Sequence, residues 1–280
     1  MGEPDAVNRD GVWLHAVTRD AVEQRVTGLT GIGGTTVHVV RSAELCAVVT
    51  PVALAEYGEE PLRHHLEDLA WLERTAREHH RVIAAVTRAG PVVPIGLATV
   101  YRGDHRVAAM LRCQRDELVH ALDHVTGYTE WGVKGFAVTG TTADPVAAGG
   151  AAGGAAGGAG SGAGVAYLRR RRAQLSDRDQ QHERALASAE TVHGILTGHA
   201  RSVRLHPPQD RRLSGEVEVM VLNGAYLVGD GHAGEFVRTV EALDGGHPAV
   251  RLRLTGPWPP YSFAAVLATP AATGDEDREA

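Results

Sequence analysis

Residues 147–164 consist of nothing but alanine, glycine and one serine. Such a stretch buries too little apolar surface to offset the entropy of ordering it, and glycine keeps its alanines out of a stable helix. It is predicted to be a flexible coil, so every packed element must come from its flanks. Nine of the chain's 34 glycines lie in it, which makes most of the glycine excess linker rather than site. At 280 residues the chain has length for two domains of roughly 150 residues each.

Composition narrows the function classes. The net charge is −6, from 28 Lys+Arg against 34 Asp+Glu, which disfavours a protein that wraps nucleic acid. Hydrophobic residues at 43% are enough for a sizeable core. Cys46 and Cys113 are the only cysteines, so no disulfide framework is expected, and both read as small core residues. The first residues are acidic and lack an apolar h-region, and no run of about 20 apolar residues occurs. A cytoplasmic chain with no membrane partner is expected.

Hydrophobic spacing supplies the elements. Residues 12–17, 36–40 and 45–49 read as strands. Pro61, preceded by Glu59 and Glu60, opens a long helix with Leu62, Leu66, Leu69, Leu72, Ala76, Ile83 and Val86 at helical spacing. Gly90-Pro91 stops it. Residues 92–95 and 97–101 read as strands, with Pro94 at an edge or bend. A second amphipathic helix follows Asp104 and runs through Val107, Leu111, Leu118, Leu122 and Val125 to Gly127. Beyond it, strand 131–138, a long polar helix 165–199, strands 202–205 and 216–228, helix 235–243 and strand 250–254 follow. An Asn223-Gly224 hairpin turn is the alternative within 216–228.

That β-α-β-β-α-β order is ferredoxin-like. The expected class is α+β, with a mixed α/β N-terminal domain over 1–128 and a ferredoxin-like C-terminal domain over 129–266. The Ala/Gly tract is then an insertion inside the second domain, and 267–280 is a disordered acidic tail.

No convincing active site emerges from the residues. Gly28-Leu29-Thr30-Gly31-Ile32-Gly33-Gly34 precedes a strand, misses G-x-G-x-x-G and has no Gly-Lys-Ser/Thr after it, so it reads as a hairpin loop. His64 and Asp68 have metal-ligand spacing, and Glu78-His79-His80 lies on the same predicted helix. The sequence places no third ligand, which leaves a solvated or half-buried face. Glu130 and Lys134 read as a surface pair, and Arg169-Arg170-Arg171-Arg172 as a solvated face or protein contact. No catalytic residue, cofactor or metal is expected. The stiff segment Pro257-Trp258-Pro259-Pro260-Tyr261-Ser262-Phe263 either packs on its own domain or presents Trp258 and Tyr261 to a partner.

Taken in order, several stretches resemble the gas vesicle accessory proteins of the L and F type, the GvpL/GvpF family. Leu66-Glu67-Asp68-Leu69-Ala70-Trp71-Leu72-Glu73 is similar to the family's helical signature, and Val92-Val93-Pro94 with Ala98-Thr99-Val100-Tyr101 to its next strands. Glu130-Trp131-Gly132-Val133-Lys134, Ala166-Tyr167-Leu168 and Asn223-Gly224-Ala225-Tyr226-Leu227-Val228 continue the match. Gly256-Pro257-Trp258-Pro259-Pro260-Tyr261-Ser262-Phe263 completes it. One departure stands at Ile95-Gly96-Leu97, where family members commonly carry an arginine.

The resemblance implies a non-enzymatic role in gas vesicle assembly, in the cytoplasm and associated with the vesicle. The implied partners are the small hydrophobic shell protein (GvpA type) and other accessory proteins. Trp71, Glu130, Trp131, Lys134, Tyr167, Asn223, Tyr226, Pro257, Trp258, Pro259, Tyr261 and Phe263 are the candidate contact or motif residues. Two alternatives differ in class: an enzyme on a ferredoxin-like domain would need a clustered His/Asp/Glu pocket, and a sensing module a small-molecule pocket.

Overall fold

The computed structural model describes residues 10–19, 23–138, 162–208 and 218–264. Most of the Ala/Gly tract and the whole acidic tail lie outside the described residues. By contact density the chain separates into two units. Among the described residues the first takes in those of 10–131, 227–230 and 256–264, and the second those of 132–226 and 231–255.

Unit 1 is built on the apolar strand β1, Gly11–Arg19. It pairs antiparallel with β3, Leu45–Val52, which pairs in turn with β2, His38–Ser42. On its other side β1 takes β4, Val92–Pro94, and the two-residue β5, Val100–Tyr101. The order is β2-β3-β1-β4, with β5 also on β1, so Pro94 sits on an edge strand where its missing N–H costs nothing.

Eight of the nine β1 residues are buried, because both faces of the sheet are covered. One face packs α5, Asp104–Cys113, and α6, Arg115–Val125, with Val107, Leu111, Leu118 and Leu122 against Val12, Leu14 and Val17. The other packs α4, Leu69–Thr87, whose Val82, Ile83 and Val86 meet Ala16, Cys46 and Val48. Short helices α1, Glu23–Val26, α2, Leu54–Tyr57, and α3, Glu59–His65, complete this unit.

Register explains how both faces stay apolar. Leu14 is opposite Val49 but Ala16 is opposite Val48, so His15 is the extra residue of a β-bulge. The bulge lets His15 and Ala16 both reach the α4 side while Leu14 and Val17 stay on the other.

Both long helices expected in this half are broken. The first stops at His65, the end of α3, and Asp68 starts α4 by accepting hydrogen bonds from the Ala70 and Trp71 N–H groups. Leu66 and Leu69 flank that break and are exposed, despite their helical spacing. Gln114, at φ −105° and ψ 18°, separates α5 from α6 and leaves Cys113 exposed rather than in the core.

The four-stranded sheet has the order β7-β8-β6-β9. Its strands are β6, Tyr128–Ala137, β7, Ser202–Leu205, β8, Met220–Gly229, and β9, Val250–Trp258. Helix α7, Gly162–Thr197, starts inside the Ala/Gly tract, so residues 162–164 are helical rather than coil. Helix α8, Ala233–Gly246, lies between β8 and β9 in the chain. Unit 2 buries Val133, Val192, Leu196, Tyr226, Phe236 and Val250. Strand β8 continues through Asn223 and Gly224, so no hairpin turn forms there.

Candidate functional site

Residues 256–264 pack within unit 1, although element order places them at the end of the second domain. The Glu130 carboxylate holds this segment. It is only 8% exposed and accepts from the Ser262 N–H and the Ser262 hydroxyl, each at 2.7 Å. Glu130 is thus a buried acceptor and not a surface carboxylate. Pro259 and Pro260 are buried, and the Pro260 carbonyl accepts from the N–H groups of Phe263 and Ala264. Phe263 and Ala264 then enter the core of Leu14, Leu118 and Leu122.

The bend before the prolines requires glycine. Gly256 has φ +125°, and a Cβ there would come within 3.1 Å of the Glu130 carbonyl oxygen and 3.2 Å of the Trp131 ring. Pro257 follows through a cis peptide bond and is exposed.

Three aromatic rings meet on this segment. His80 of α4 lies edge-on to Trp258 at 5.7 Å between centroids and stacks on Tyr261 at 6.1 Å. His80 Nδ1 and the Tyr261 hydroxyl share a hydrogen bond of 3.0 Å. Burial, reinforced by the Glu130 charge, holds the Tyr261 phenol above its usual range, so it keeps its proton. Trp258 and Tyr261 remain 41% and 36% exposed. Rings fixed on one side and open on the other suit an apolar partner at low ordering cost.

If Glu130 anchors this segment, Glu130→Ala should cost about 2–3 kcal/mol, the worth of charge-assisted hydrogen bonds to a buried acceptor. It should also open residues 256–264 to limited proteolysis. Unchanged denaturant stability and protease resistance would remove Glu130 from that role.

The second cluster of unit 1 lies in its core. Its hydrogen-bond roles follow from one acceptor. The Ile95 carbonyl can only accept, so His79 Nε2, 3.0 Å away, carries the proton and Nδ1 carries the lone pair. Trp13 Nε1–H and His15 Nδ1–H, each 3.0 Å from His79 Nδ1, donate to it. His15 Nε2 is then left to accept the Thr50 hydroxyl at 2.7 Å. Burial is the main reason both imidazoles stay neutral, holding His15 well below the usual range and His79 down at about 4.

Sequence reasoning missed this network. His15 sits in an apolar run, and His79 looked like half of a solvated pair. The glycine loop belongs to the same network, for a Cβ on Gly31 would lie 1.9 Å from Thr50 Oγ1. His64 and Asp68 are used locally, His64 with the Glu60 carbonyl and Asp68 as the α4 cap. Among the described residues no group of three or more His, Cys, Asp or Glu could hold a metal ion. An open depression of about 590 Å³ lies on α6, lined by Asp116, Glu117, His120, Ala121, His124, Phe263 and Ala264.

The remaining candidates are dispersed. Trp71 is buried with Trp13, Ile32 and Tyr57, and its ring stacks on His65 at 4.9 Å. In unit 2, Tyr226 is fully buried, and its hydroxyl lies 3.0 Å from His193 Nδ1. Asn223 donates to the Pro207 carbonyl. Lys134 is half-buried on β6, and Tyr167 is 62% exposed on α7.

Comparison with known proteins agrees over nearly the whole chain. The family described as "Gas vesicle synthesis protein GvpL/GvpF" matches residues 11–265. Gas vesicle protein L of a Streptomyces species is 40% identical over 254 residues, which is 91% of this chain and 92% of that protein. Gas vesicle protein F2 of Halobacterium salinarum is 25% identical, over 88% and 89% of the two chains. Crystal structures of GvpF from Anabaena and from Microcystis aeruginosa superpose with a TM-score of 0.61 each, at 17% and 18% identity. Each covers 91% of this chain, and respectively 96% and 99% of the GvpF chain. Those likenesses show the mixed α/β fold. The chain belongs to the GvpL/GvpF family of gas vesicle proteins.

Proposed function

We propose that this chain is a non-enzymatic assembly factor that binds the small gas vesicle shell protein through the surface formed by Trp258, Tyr261 and His80. The observation that carries the reading is the fixed yet open aromatic cluster on residues 256–264. A shell subunit with apolar surface needs such a partner before it polymerises. Glu130, Trp131, Pro257, Pro259 and Phe263 position the rings, and Trp71 and Tyr226 serve their cores. Lys134, Tyr167 and Asn223 are left to the other accessory proteins. The work is done in the cytoplasm at the growing vesicle, and no helix among the described residues is long and apolar enough to cross a membrane.

The buried histidines support a non-enzymatic reading, since their ring nitrogens are committed to internal partners. We take the C-terminal run expected over 129–266 to be ferredoxin-like from β6 to β9, with residues 256–264 seated in unit 1. The element order and the β7-β8-β6-β9 sheet support it. In a pulldown on immobilised shell protein, Trp258→Ala with Tyr261→Ala should bind at least about 30-fold more weakly, the loss of a hot spot of about 2 kcal/mol. Capture equal to that of the unsubstituted chain, with an unchanged melting temperature, would overturn the assignment.

A further inference from the structure

At 36 residues, α7 is about 54 Å long. Among its described side chains the buried ones, Ala185, Ala189, Val192 and Leu196, lie in its second half. Counting back from Leu196 by alternate steps of four and three, the same seam passes through Val192, Ala189, Ala185, His182, Arg178, Leu175 and Arg171 to Leu168. There it is uncovered, with Leu168 65% and Leu175 48% exposed. Residues 167–169, 171–173 and 175–180 are all exposed. A helical arm of this length whose described side chains are exposed is marginal in water, so a partner along its seam would stabilise it.

Charge selects the partner. The arm begins with the run Arg169 to Arg172 and continues through Asp177, Asp179 and Glu183, with Arg178 between the two aspartates. Arg172 and Asp179 flank the seam on one side, seven residues apart. An antiparallel pair of arms crossing near Leu175 brings Arg172 of each copy beside the acidic stretch of the other, with the Leu175 side chains close at the crossing. A parallel pair would stack arginine run on arginine run. We propose that the exposed half of α7 is a self-association surface, pairing antiparallel with a second copy of this chain about a two-fold axis.

Sedimentation equilibrium on the full chain tests this. The mass should rise from 29.6 kDa toward twice that value as concentration increases to about 100 µM, and fall back at high salt. Leu168→Ser with Leu175→Ser should weaken association at least about 10-fold and leave the melting temperature of the dilute single chain unchanged, since both side chains are exposed there. Arg172→Glu should also weaken it, and adding Asp179→Arg should restore it. A single-chain mass at every concentration would overturn the proposal, whether another segment of the chain or a different protein covers the seam. Failure of the charge swap to restore association would do the same.

Discussion

Gly31→Ala is expected to lower the unfolding free energy by about 4 kcal/mol. The added Cβ would lie 1.9 Å from Thr50 Oγ1 and 3.2 Å from His15 Nε2, in a site where both neighbours are fully buried. Overpacking a well-filled core costs about 1–3 kcal/mol, and displacing the Thr50 hydroxyl from His15 leaves a buried acceptor unpaired for about as much again. The loop has little room to retreat, because the Gly31 N–H donates to the Thr35 carbonyl and Ile32 is buried beside Trp13. Urea unfolding in a double-mutant cycle measures this. In a Thr50→Ala background the same change should cost less than half as much. A cost below about 1 kcal/mol in the natural background would show that the loop does not press on this network.

The second large effect is acid lability. His79 has a folded-state pKa of about 4 against an ordinary 6.5, and His15 is lowered in the same direction. The unfolded chain therefore binds more protons than the folded one between those values, and stability falls as pH falls through that window. His79 alone contributes about 3 kcal/mol of loss between pH 6.5 and 4, and nothing further well below pH 4. The geometry agrees, since a proton added at His79 Nδ1 would face two N–H donors that already point at it. His79→Gln can still donate to Ile95 and accept from Trp13 without taking up a proton. Its unfolding free energy should change with pH by about 3 kcal/mol less over that range. Parallel pH profiles for the two proteins would place the titration elsewhere.

Both effects depend on a network that the sequence concealed, for a physical reason. Residues 12–17 read as a buried strand, and they are one, but an apolar run covered on both faces carries no alternation to reveal a bulge. The inward turn of His15 was therefore invisible. The helix breaks at Asp68 and Gln114 were hidden in the same way, because the leucine spacing continues through them and only the cap geometry distinguishes a new helix. The second half was more legible. Its β-α-β-β-α-β order is visible in the periodicity, and the limits of α7 and β7 differ from expectation by three residues or fewer. The aromatic-proline segment was legible as a stiff strip of rings. Its seat on Glu130 and His80 was not, because that contact joins residues more than 130 positions apart in the chain.

In the proposed assembly role, Trp258 and Tyr261 face the shell protein. A photoreactive phenylalanine analogue in place of Tyr261, irradiated in cells that are forming vesicles, tests it most directly. A covalent adduct with the shell protein is predicted from that position and none from the same analogue at the exposed Glu241 of α8. No adduct at Tyr261, or equal adducts at both positions, would contradict it.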